Sequence, residues 1–552
     1  MTQTCLSSQV TAPLLSMQGG GVRFAQVAEL PACDGISFDL HPGEILGIVG
    51  ESGAGKSVIC RALMGMLPVT ATVSGSMCFE EQTLDLSNTR ATARLRGPNI
   101  SMIFQDPMSA LDPLMTVRRH LALRTKSDPI PILQQAGLSE PEKLMDSYAH
   151  QLSGGQCQRI AIACALAHNP KVLIADEPTT ALDVTVQASI LKQLKRLASE
   201  RGMAMILVTH DLGVVYQLCD RVLVMQQGRV VEQGLVQTVL TAPQHLYTKQ
   251  MLAALPRPAS RGRRLGLCEN DTPPPLAAPA RISSNEPVLK FTDVSVQYRR
   301  GNGDAFNAVD GVSLYLRRGE ILGLVGESGS GKSTLAKTAV GLATPSKGKV
   351  LLDGEALNWA DAKMAWRRDV QYIFQDPRGA LDPSARILNQ VRQPLDIHRV
   401  GTVVERDARA RALLTETRLD ETLFLRKPGS LSGGQRQRAT IARALTLQPK
   451  VLICDESVSA LDATIQARVL NLLMDLREKF GVAILFISHD LSVIHQICDR
   501  VAVMRQGQLL ELNHTEPLFA RPSHPYTQAL LDAVPVLPGS MQTPLLTPMV
   551  HA

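Results

Sequence analysis

Two stretches of the chain, GIVGESGAGKS (47–57) and GLVGESGSGKS (323–333), carry nearly the same glycine-rich sequence. Their last residues are 276 positions apart (333 − 57), and both satisfy the pattern GxxxxGK[ST]. Each stretch follows an apolar run typical of a buried strand and precedes a helical pattern, the context in which the pattern indicates a phosphate-binding loop. Two such loops predict a duplicated domain.

The loops predict two binding sites for the phosphates of ATP. Glycines let backbone N–H groups curl around phosphate oxygens, and the following helix directs its positive end at the same anion. Lys56 and Lys332 are predicted to reach the β- and γ-phosphates, and Ser57 and Ser333 to offer a hydroxyl to Mg²⁺. A glycine turn that binds nothing is the alternative, and two matched copies disfavour it. The predicted nucleotide-binding residues of the loops are Gly50, Glu51, Ser52, Gly53, Ala54, Gly55, Lys56, Ser57, Gly326, Glu327, Ser328, Gly329, Ser330, Gly331, Lys332, Ser333 and Thr334.

The repeat extends well beyond the loops. QLSGGQCQRIAIACAL (151–166) matches SLSGGQRQRATIARAL (430–445), and KVLIADEPTTALD (171–183) matches KVLICDESVSALD (450–462). The offset is constant at 279 from the SGG motif onward (432 − 153), whereas it is 270 at the glutamines of the FQDP motifs (375 − 105). Length differences therefore gather upstream of SGG, as expected of a variable subdomain set into a rigid core.

The pattern of each half predicts an α/β fold with a mostly parallel sheet. Short apolar runs such as EILGIVG and KVLIADE read as strands buried on both faces, and VQASILKQLKRLASE has helical spacing. Gln227-Gly228 and Gln506-Gly507 predict hairpins at the sheet edge. We predict a first domain over 1–255, a proline-rich linker over 256–287, a second domain over 288–536 and a tail over 537–552.

Bulk composition limits the class of protein. The 552 residues are 45% hydrophobic and 20% charged, which is ordinary for a globular chain, and the net charge of +6 is spread without a dense basic block. No run approaches the length of a membrane span, and the N-terminus does not resemble a signal peptide, so we expect a cytosolic protein. Ten cysteines without a CxxC pair favour reduced thiols over disulfides or a zinc site.

Acidic pairs follow one predicted strand in each half, Asp176-Glu177 and Asp455-Glu456. The carboxyl end of a strand beside a phosphate loop is where an α/β sheet presents its chemistry. The aspartate is predicted to hold Mg²⁺ through water, and the glutamate to polarise the attacking water. Acidic residues that end a strand are often merely solvated, but the loops upstream favour the catalytic interpretation.

Two further polar residues per half end predicted strands. Gln105 and Gln375 are predicted to touch the metal and the water, and His210 and His489 to contact the γ-phosphate. A single histidine after an apolar run is usually a satisfied core residue. Here both histidines lie in matching positions and precede Asp-Leu, which favours a functional role.

These motifs and their order resemble the ATP-binding cassette family, twice over. The order is phosphate loop, glutamine, LSGGQ signature, Asp-Glu, a TALD or SALD segment, and histidine. The resemblance covers most of the chain and implies that each domain has the sheet core, an antiparallel β subdomain and a helical subdomain.

In cassettes of this family, two domains face head to tail and each signature caps the ATP held by the other domain's loop. The resemblance therefore implies that the first signature caps ATP on the second loop, and the second signature ATP on the first. The implied signature residues are Ser153, Gly154, Gly155, Gln156, Ser432, Gly433, Gly434 and Gln435. The family also stacks adenine on an aromatic residue of an early strand, for which Tyr298 and Phe24 are the candidates, although such residues are more often simple packing.

One subgroup is favoured by the tail motifs. HPYTQALLDAVP (524–535) and its echo QHLYTKQMLAALP (244–256) resemble the segment that follows cassettes of oligopeptide, dipeptide and nickel importers. Such a resemblance implies an ATPase at the cytoplasmic face of the inner membrane, docked on two permease subunits, with a substrate-binding protein acting indirectly and no nucleic acid. The alternatives are a soluble tandem-cassette ATPase acting on ribosomes or nucleic acid, and a component of phosphonate metabolism. The proline-rich linker and the tail motifs disfavour both.

Overall fold

The computed structural model describes residues 12–25, 31–179, 182–266, 286–299, 305–359, 365–458, 461–535 and 537. The chain forms two compact units, one built mainly from residues up to 182 and 186–249, the other mainly from 250–534. Most of the predicted linker and tail, together with Thr180, Ala181, Ser459 and Ala460, lie outside the described residues. No helix among the described residues is long and apolar enough to cross a membrane.

The first unit contains two sheets. A six-stranded sheet has the order β10-β9-β3-β8-β7-β6, and only the β9–β10 pair is antiparallel. A four-stranded antiparallel sheet has the order β2-β1-β4-β5. The strands are β1 (Leu15–Phe24), β2 (Cys33–Leu40), β3 (Ile45–Gly50), β4 (Ala71–Phe79), β5 (Gln82–Asp85), β6 (Ile100–Ile103), β7 (Val172–Asp176), β8 (Ala204–Val208), β9 (Arg221–Gln226) and β10 (Arg229–Leu235).

The helices of the first half lie between these strands in sequence. Four of them, α3 to α6, come between β6 and β7 and form the helical segment in which the two halves differ in length. The helices are α1 (Lys56–Leu63), α2 (Thr89–Ala93), α3 (Pro107–Ala110), α4 (Val117–Ala122), α5 (Ile130–Gln135), α6 (Gly154–Leu166), α7 (Val184–Arg201), α8 (Leu212–Leu218), α9 (Val236–Thr241) and α10 (Leu246–Ala253).

The second unit repeats the topology of the first. Its large sheet has the order β16-β17-β18-β13-β19-β20, parallel except for the β19–β20 pair, and its antiparallel sheet has the order β12-β11-β14-β15. The strands are β11 (Pro287–Arg299), β12 (Ala305–Arg317), β13 (Ile321–Val325), β14 (Lys347–Leu352), β15 (Glu355–Ala356), β16 (Val370–Ile373), β17 (Val451–Asp455), β18 (Ala483–Ile487), β19 (Arg500–Arg505) and β20 (Gln508–His514). The helices are α11 (Lys332–Ala339), α12 (Pro377–Ala380), α13 (Ile387–Ile397), α14 (Val403–Glu416), α15 (Gly433–Leu445), α16 (Ala463–Phe480), α17 (Leu491–Ile497), α18 (Thr515–Ala520) and α19 (Pro525–Asp532).

Most of the parallel strands are buried at every position, because helices and the antiparallel sheet cover their faces; these strands are β3, β6, β7, β8, β13, β17 and β18. In the first unit one core cluster joins the two sheets through residues such as Met17, Ile59 and Leu223. The predicted hairpins are confirmed, since β9–β10 and β19–β20 are antiparallel pairs at the edge of each large sheet. The α/β fold class predicted from the sequence is thus confirmed in both halves.

Part of the predicted linker makes contacts with the second unit. Leu265 is buried, its N–H donates to Asn471 Oδ1 at 3.0 Å, and its carbonyl accepts from Asn471 Nδ2 at 2.8 Å. Ser260 donates to Gln496 Oε1 at 2.8 Å. Residues near 260–265 are therefore anchored on the second unit, whereas the domain and linker boundaries themselves stay predictions.

Candidate functional site

The first phosphate loop joins the end of β3 to the start of α1. Lys56 is the first residue of α1, and its ammonium donates to the carbonyls of Gly50 and Glu51 at 2.7 and 2.9 Å. Lys56 is buried, so its charge is held inside the loop by these backbone oxygens. Gly50 has φ 151°, and a Cβ there would lie 2.2 Å from the carbonyl oxygen of Met225 in β9, which explains why only glycine fits this position.

The predicted metal ligands of the first half lie together. Ser57 Oγ donates to Asp176 Oδ1 at 2.8 Å, although the two residues are 119 positions apart. Asp176 is fully buried at the end of β7, and its Oδ2 has no hydrogen-bond partner within the described part of the chain. Burial raises the pKa of this carboxyl above its ordinary value, despite the hydrogen bond from Ser57. A buried, unpartnered carboxylate oxygen next to a serine hydroxyl suits an Mg²⁺ ion or its water.

Glu177 follows Asp176 and has an unusual backbone conformation. Its φ is 46°, in the left-handed region that residues other than glycine rarely adopt. Gln105 Nε2 donates to Glu177 Oε2 at 2.8 Å, and His210 Nδ1 lies 3.6 Å from Glu177 Oε1. The structure therefore places the predicted glutamine, glutamate and histidine in one cluster at the carboxyl ends of β6, β7 and β8.

The second half repeats this arrangement closely. Lys332 donates to the carbonyls of Gly326 and Glu327, both at 2.7 Å, and Ser333 Oγ donates to Asp455 Oδ1 at 2.9 Å. Ser330 adds a contact that the first half lacks, because Lys332 Nζ lies 3.2 Å from its hydroxyl, where the first loop has alanine. Burial lowers the pKa of Lys332 below its ordinary value.

The catalytic cluster is also repeated in the second half. Gln375 Nε2 donates to Glu456 Oε2 at 2.7 Å, and His489 Nδ1 lies 3.6 Å from the same oxygen. Glu456 again has φ 46°. The hydrogen bond from His489 lowers the pKa of Glu456. Burial alone lowers the pKa of His489, but the hydrogen bond and charge of Glu456 outweigh it, and the net shift is upward.

One polar contact of the second site was not predicted from the sequence. Tyr372 in β16 donates its hydroxyl to Asp455 Oδ2 at 2.5 Å. Tyr372 pairs with Ile453 of β17, and Met102 of β6 pairs with the equivalent Ile174 of β7. The same register position thus carries a hydroxyl in one half and a buried thioether in the other. In the sequence, Tyr372 appears only as one residue of an apolar strand, and nothing there indicates its contact with Asp455.

Both predicted signatures form helix N-termini. Ser153 Oγ accepts from the N–H of Gln156 at 3.3 Å, and Gln156 Oε1 accepts from the N–H of Ser153 at 2.9 Å, which is a reciprocal capping box. Ser432 and Gln435 make the same pair of bonds, at 3.3 and 2.8 Å. The serine and glutamine of each SGGQ sequence therefore cap the N-terminus of the helix that follows, α6 or α15.

The second glycine of each signature permits close packing of two helices. A Cβ on Gly434 would lie 2.4 Å from Ile465 Cγ2 in α16. A larger residue would push α15 away from α16, so the helix start, and with it the signature, would move. The need for glycine is less severe at Gly155, where the corresponding distance, to Val186 Cγ1, is 3.2 Å.

The two candidate adenine-stacking residues have different surroundings. Tyr298 near the end of β11 is 42% exposed, with its ring centroid 6.2 Å from that of Phe306. Phe24, the last residue of β1, is partly buried and packs against the core of its unit. An open ring face suits stacking better than a packed one, but no nucleotide tests either assignment, and both stay predictions.

The tails of both halves reach the phosphate loops, which sequence reasoning did not predict. Tyr247 of α10 accepts a hydrogen bond from the N–H of Glu51 at 2.9 Å, and Tyr526 of α19 accepts one from Glu327 at 3.0 Å. The repeat of the tail motif was a visible signal. The contact of this motif with the phosphate loop was not visible in the sequence, because each tyrosine is nearly 200 residues from the loop residue that it contacts.

Comparison with known families agrees with this site. The sequence matches the family described as "ABC transporter" over residues 33–180 and 309–459. It also matches the "Oligopeptide/dipeptide transporter, C-terminal region" over residues 231–281 and 510–548. The chain therefore belongs to the ABC transporter family and is an ATP-binding ATPase of that family, with two cassettes in one polypeptide. Each cassette is followed by the C-terminal region of the oligopeptide/dipeptide type.

Individual relatives align with this chain over nearly their whole length. The peptidoglycan transport ATP-binding protein YejF of Agrobacterium fabrum is 42% identical over 540 residues, covering 95% of this chain and 96% of the relative. The glutathione import ATP-binding protein GsiA of Escherichia coli is 42% identical over 568 residues, covering 96% and 91%. Among solved structures, cbiO1 from Clostridium perfringens, part of the ABC transporter complex cbiONQ, is 29% identical and aligns with a TM-score of 0.39, covering 43% of this chain and 92% of cbiO1.

Proposed function

We propose that the chain is the ATP-hydrolysing subunit of a membrane importer of peptides or related small solutes, such as di- and oligopeptides or metal chelates. The observation that supports the solute class is the oligopeptide/dipeptide C-terminal region after each cassette. The names of relatives at 42% identity, which concern glutathione import and peptidoglycan transport, support the same class. The chain then works at the cytoplasmic face of the inner membrane, bound to two permease subunits, with a substrate-binding protein delivering the solute.

The side chains of each cluster divide the work of hydrolysis. Lys56 and Lys332 bind the β- and γ-phosphates. To do so, each lysine must break its hydrogen bonds to backbone carbonyls of its loop and form new ones to phosphate oxygens. Glu177 and Glu456 orient the attacking water and accept its proton, helped by the glutamine and histidine that contact each of them. The strained backbone of both glutamates fixes the direction of the carboxylate before substrate arrives.

Magnesium fits the same sites. Ser57 with Asp176, and Ser333 with Asp455, would hold the ion directly or through water. Gln105 and Gln375, which donate to the adjacent glutamates, would touch it as well. When bound, Mg²⁺ neutralises phosphate charge during transfer. In the first half this assignment is supported by the buried Oδ2 of Asp176, which has no hydrogen-bond partner among the described residues.

The transport role is tested by co-expression. The chain is produced alone and together with candidate permease subunits, and membranes are separated from cytosol. We expect it in the membrane fraction only when the permeases are present, and we expect ATP hydrolysis by that complex to rise with the loaded binding protein. A chain that stays in the cytosol in both cases and sediments with ribosomes instead would refute the transport role and support the soluble alternative.

We also propose that each signature completes the ATP site of the other cassette. Support comes from the resemblance in motif order and from the signatures themselves, because α6 and α15 begin at their glycines and offer the positive end of a 13-residue helix to an anion. On this proposal Lys56 and Ser432 serve one ATP, and Lys332 and Ser153 the other.

A double-mutant cycle tests this pairing. Lys56→Ala and Ser432→Arg damage the same site, so the double variant should lose little more activity than the worse single variant. Lys56→Ala with Ser153→Arg damages both sites and should lose more. ATP binding is measured beside turnover, so that cooperation between the sites is recognised. Coupling of Lys56 with Ser153 rather than Ser432 would mean that each cassette closes its own site.

A further inference from the structure

The first turn of the tail helix of each half contacts the phosphate loop. Tyr526 and Tyr247 are only 6% and 4% exposed, and the hydroxyl of each accepts the backbone N–H of the second loop residue, Glu327 or Glu51. The contact occurs in both units with distances that differ by 0.1 Å (3.0 − 2.9). Such repetition between halves that differ elsewhere indicates a shared role rather than incidental packing.

The tail helix of the second half is itself held firmly. Glu511 of β20 accepts the N–H groups of Ser523 and His524 at 2.9 and 3.2 Å and the hydroxyl of Thr527 at 2.6 Å. His524 Nδ1 accepts the N–H of Tyr526 at 3.0 Å, which caps the start of α19. Each polar residue of the HPYT sequence therefore contributes to the direction in which the tyrosine points.

The first half uses the same device. Glu232 of β10 accepts the N–H groups of Gln244 and His245 at 2.8 and 3.2 Å, and His245 Nδ1 accepts the N–H of Tyr247 at 3.2 Å. Leu246 stands where the second half has proline, and these three hydrogen bonds are still formed, whereas Thr248 Oγ1 has no hydrogen-bond partner among the described residues where Thr527 bonds Glu511. The glutamate, histidine and tyrosine thus form a unit that does not depend on the proline.

The contact fixes a particular peptide group. The peptide that joins Gly326 to Glu327 has its carbonyl bound by Lys332 Nζ at 2.7 Å and its N–H bound by Tyr526. In the first half, Lys56 and Tyr247 bind the two ends of the peptide between Gly50 and Glu51 in the same way. A peptide plane held by a hydrogen bond at each end is restricted in its rotation before ATP binds, and this restricts the orientation of the N–H groups that follow it in the loop.

We propose that Tyr247 and Tyr526 are positioning residues of the two ATP sites, through which the C-terminal region of each half pre-organises the phosphate loop. The inference rests on the proposed role of the loops as ATP sites and adds a role for the tail that follows each cassette. A loop whose first peptide is fixed loses less conformational freedom when it binds phosphate. Removal of one neutral hydrogen bond should therefore weaken ATP binding about two- to tenfold.

The test uses the full chain without permeases, with ATP and Mg²⁺ as the probe. Tyr526→Phe, Tyr247→Phe and the double variant are compared with wild type for ATP affinity, for KM and kcat, and for the unfolding temperature without nucleotide. Phenylalanine keeps the ring, including the contact with the Arg505 guanidinium 4.7 Å from the ring centroid, and removes only the hydroxyl. We expect a two- to tenfold weaker affinity and higher KM, with kcat within about twofold of wild type.

Tyr315→Phe is the matched control. The Tyr315 hydroxyl in β12 also accepts one hydrogen bond, from Arg317 at 3.2 Å, and within the described residues its hydrogen bonds and ring contacts do not involve the loop. Removing this hydroxyl should therefore leave KM unchanged. Unchanged ATP affinity in the double variant, or a lower kcat at unchanged KM, would overturn the proposal. A variant with both Lys332→Ala and Lys56→Ala tests separately whether the loops bind ATP. If this variant still binds ATP like wild type, the loops are not the ATP sites.

Discussion

The two ATP sites use the same motifs but differ at the buried aspartate. Among the described residues, Asp176 keeps one carboxylate oxygen without a hydrogen-bond partner, whereas the corresponding oxygen of Asp455 accepts the hydroxyl of Tyr372. The second loop also has Ser330 beside its lysine, where the first has Ala54. At these two positions the second site has hydrogen bonds that the described residues of the first site do not form. Two matching sets of motifs therefore do not make two equal sites, because residues outside the motifs' shared positions, such as Tyr372, add hydrogen bonds to one of them.

The largest expected effect concerns the catalytic glutamates. Glu177→Gln and Glu456→Gln should each keep ATP binding and slow hydrolysis at their own site by about 10²–10⁴, since each removes the group that orients water. Single-turnover hydrolysis by the assembled transporter measures this. If the two sites are unequal, one variant will lower overall turnover more than the other.

Glu200→Gln provides the control for these variants. Glu200 lies near the end of α7 with an exposed side chain, and its partner Arg196 is on the same helix, so its neutralisation should not change turnover. Wild-type hydrolysis by both catalytic-site variants would show that the two glutamates have been assigned the wrong role.

The difference between the aspartates is tested by Tyr372→Phe. This change leaves a buried carboxylate oxygen without its donor and should lower the free energy of unfolding by about 1–3 kcal/mol in the absence of nucleotide. It also makes the second site resemble the first. Because a cation can satisfy the oxygen that the hydroxyl leaves, Mg²⁺ with ATP should stabilise the variant more than it stabilises wild type, as measured by thermal unfolding.

Met102→Leu is the matched change in the first half. It alters a buried apolar side chain at the same register position, and it should cost less than about 1.5 kcal/mol with no change in the effect of Mg²⁺. Equal stability of Tyr372→Phe and wild type, with equal gains from Mg²⁺, would mean that the tyrosine does not distinguish the sites.

The smallest effect is a shift in the titration of a histidine. The hydrogen bond and charge of Glu456 raise the pKa of His489 above its ordinary value against the opposing effect of burial. The stability that this pair contributes is fully present below the ordinary histidine pKa and is lost as the pH rises through the raised value. Glu456→Gln should therefore lower the pKa of His489, because burial then acts with less opposition.

Proton NMR of the histidine rings measures this titration, with the His489 signal assigned by its loss in His489→Gln. His210 offers an internal reference, since its pKa is raised by Glu177 for the same reason and should not move in Glu456→Gln. A pKa of His489 that is the same in both proteins would show that the glutamate does not control the histidine.

Local sequence patterns predicted most of the fold and of each cluster. The loops, the acidic pairs and the hairpins each lie within a few consecutive residues, and strand polarity placed Gln105, Glu177 and His210 at one edge of a parallel sheet. The roles of Tyr372 and of the tail tyrosines were not predictable in this way. Each depends on the register between strands or on the direction of a helix that is distant in sequence, and a single sequence contains no signal for either.

The capping box of the signature also limits which residues can replace its serine. As a helix cap alone, Ser153 could be exchanged for aspartate or asparagine, which accept an N–H equally well. The hydroxyl differs because its oxygen accepts the N–H of Gln156 while its proton can still be donated. Aspartate would bring a negative charge without that proton, whereas asparagine could cap with its oxygen and donate with its amide group, but that group is larger than a hydroxyl. Serine is thus the smallest side chain that can cap the helix and also donate a hydrogen bond to an anion.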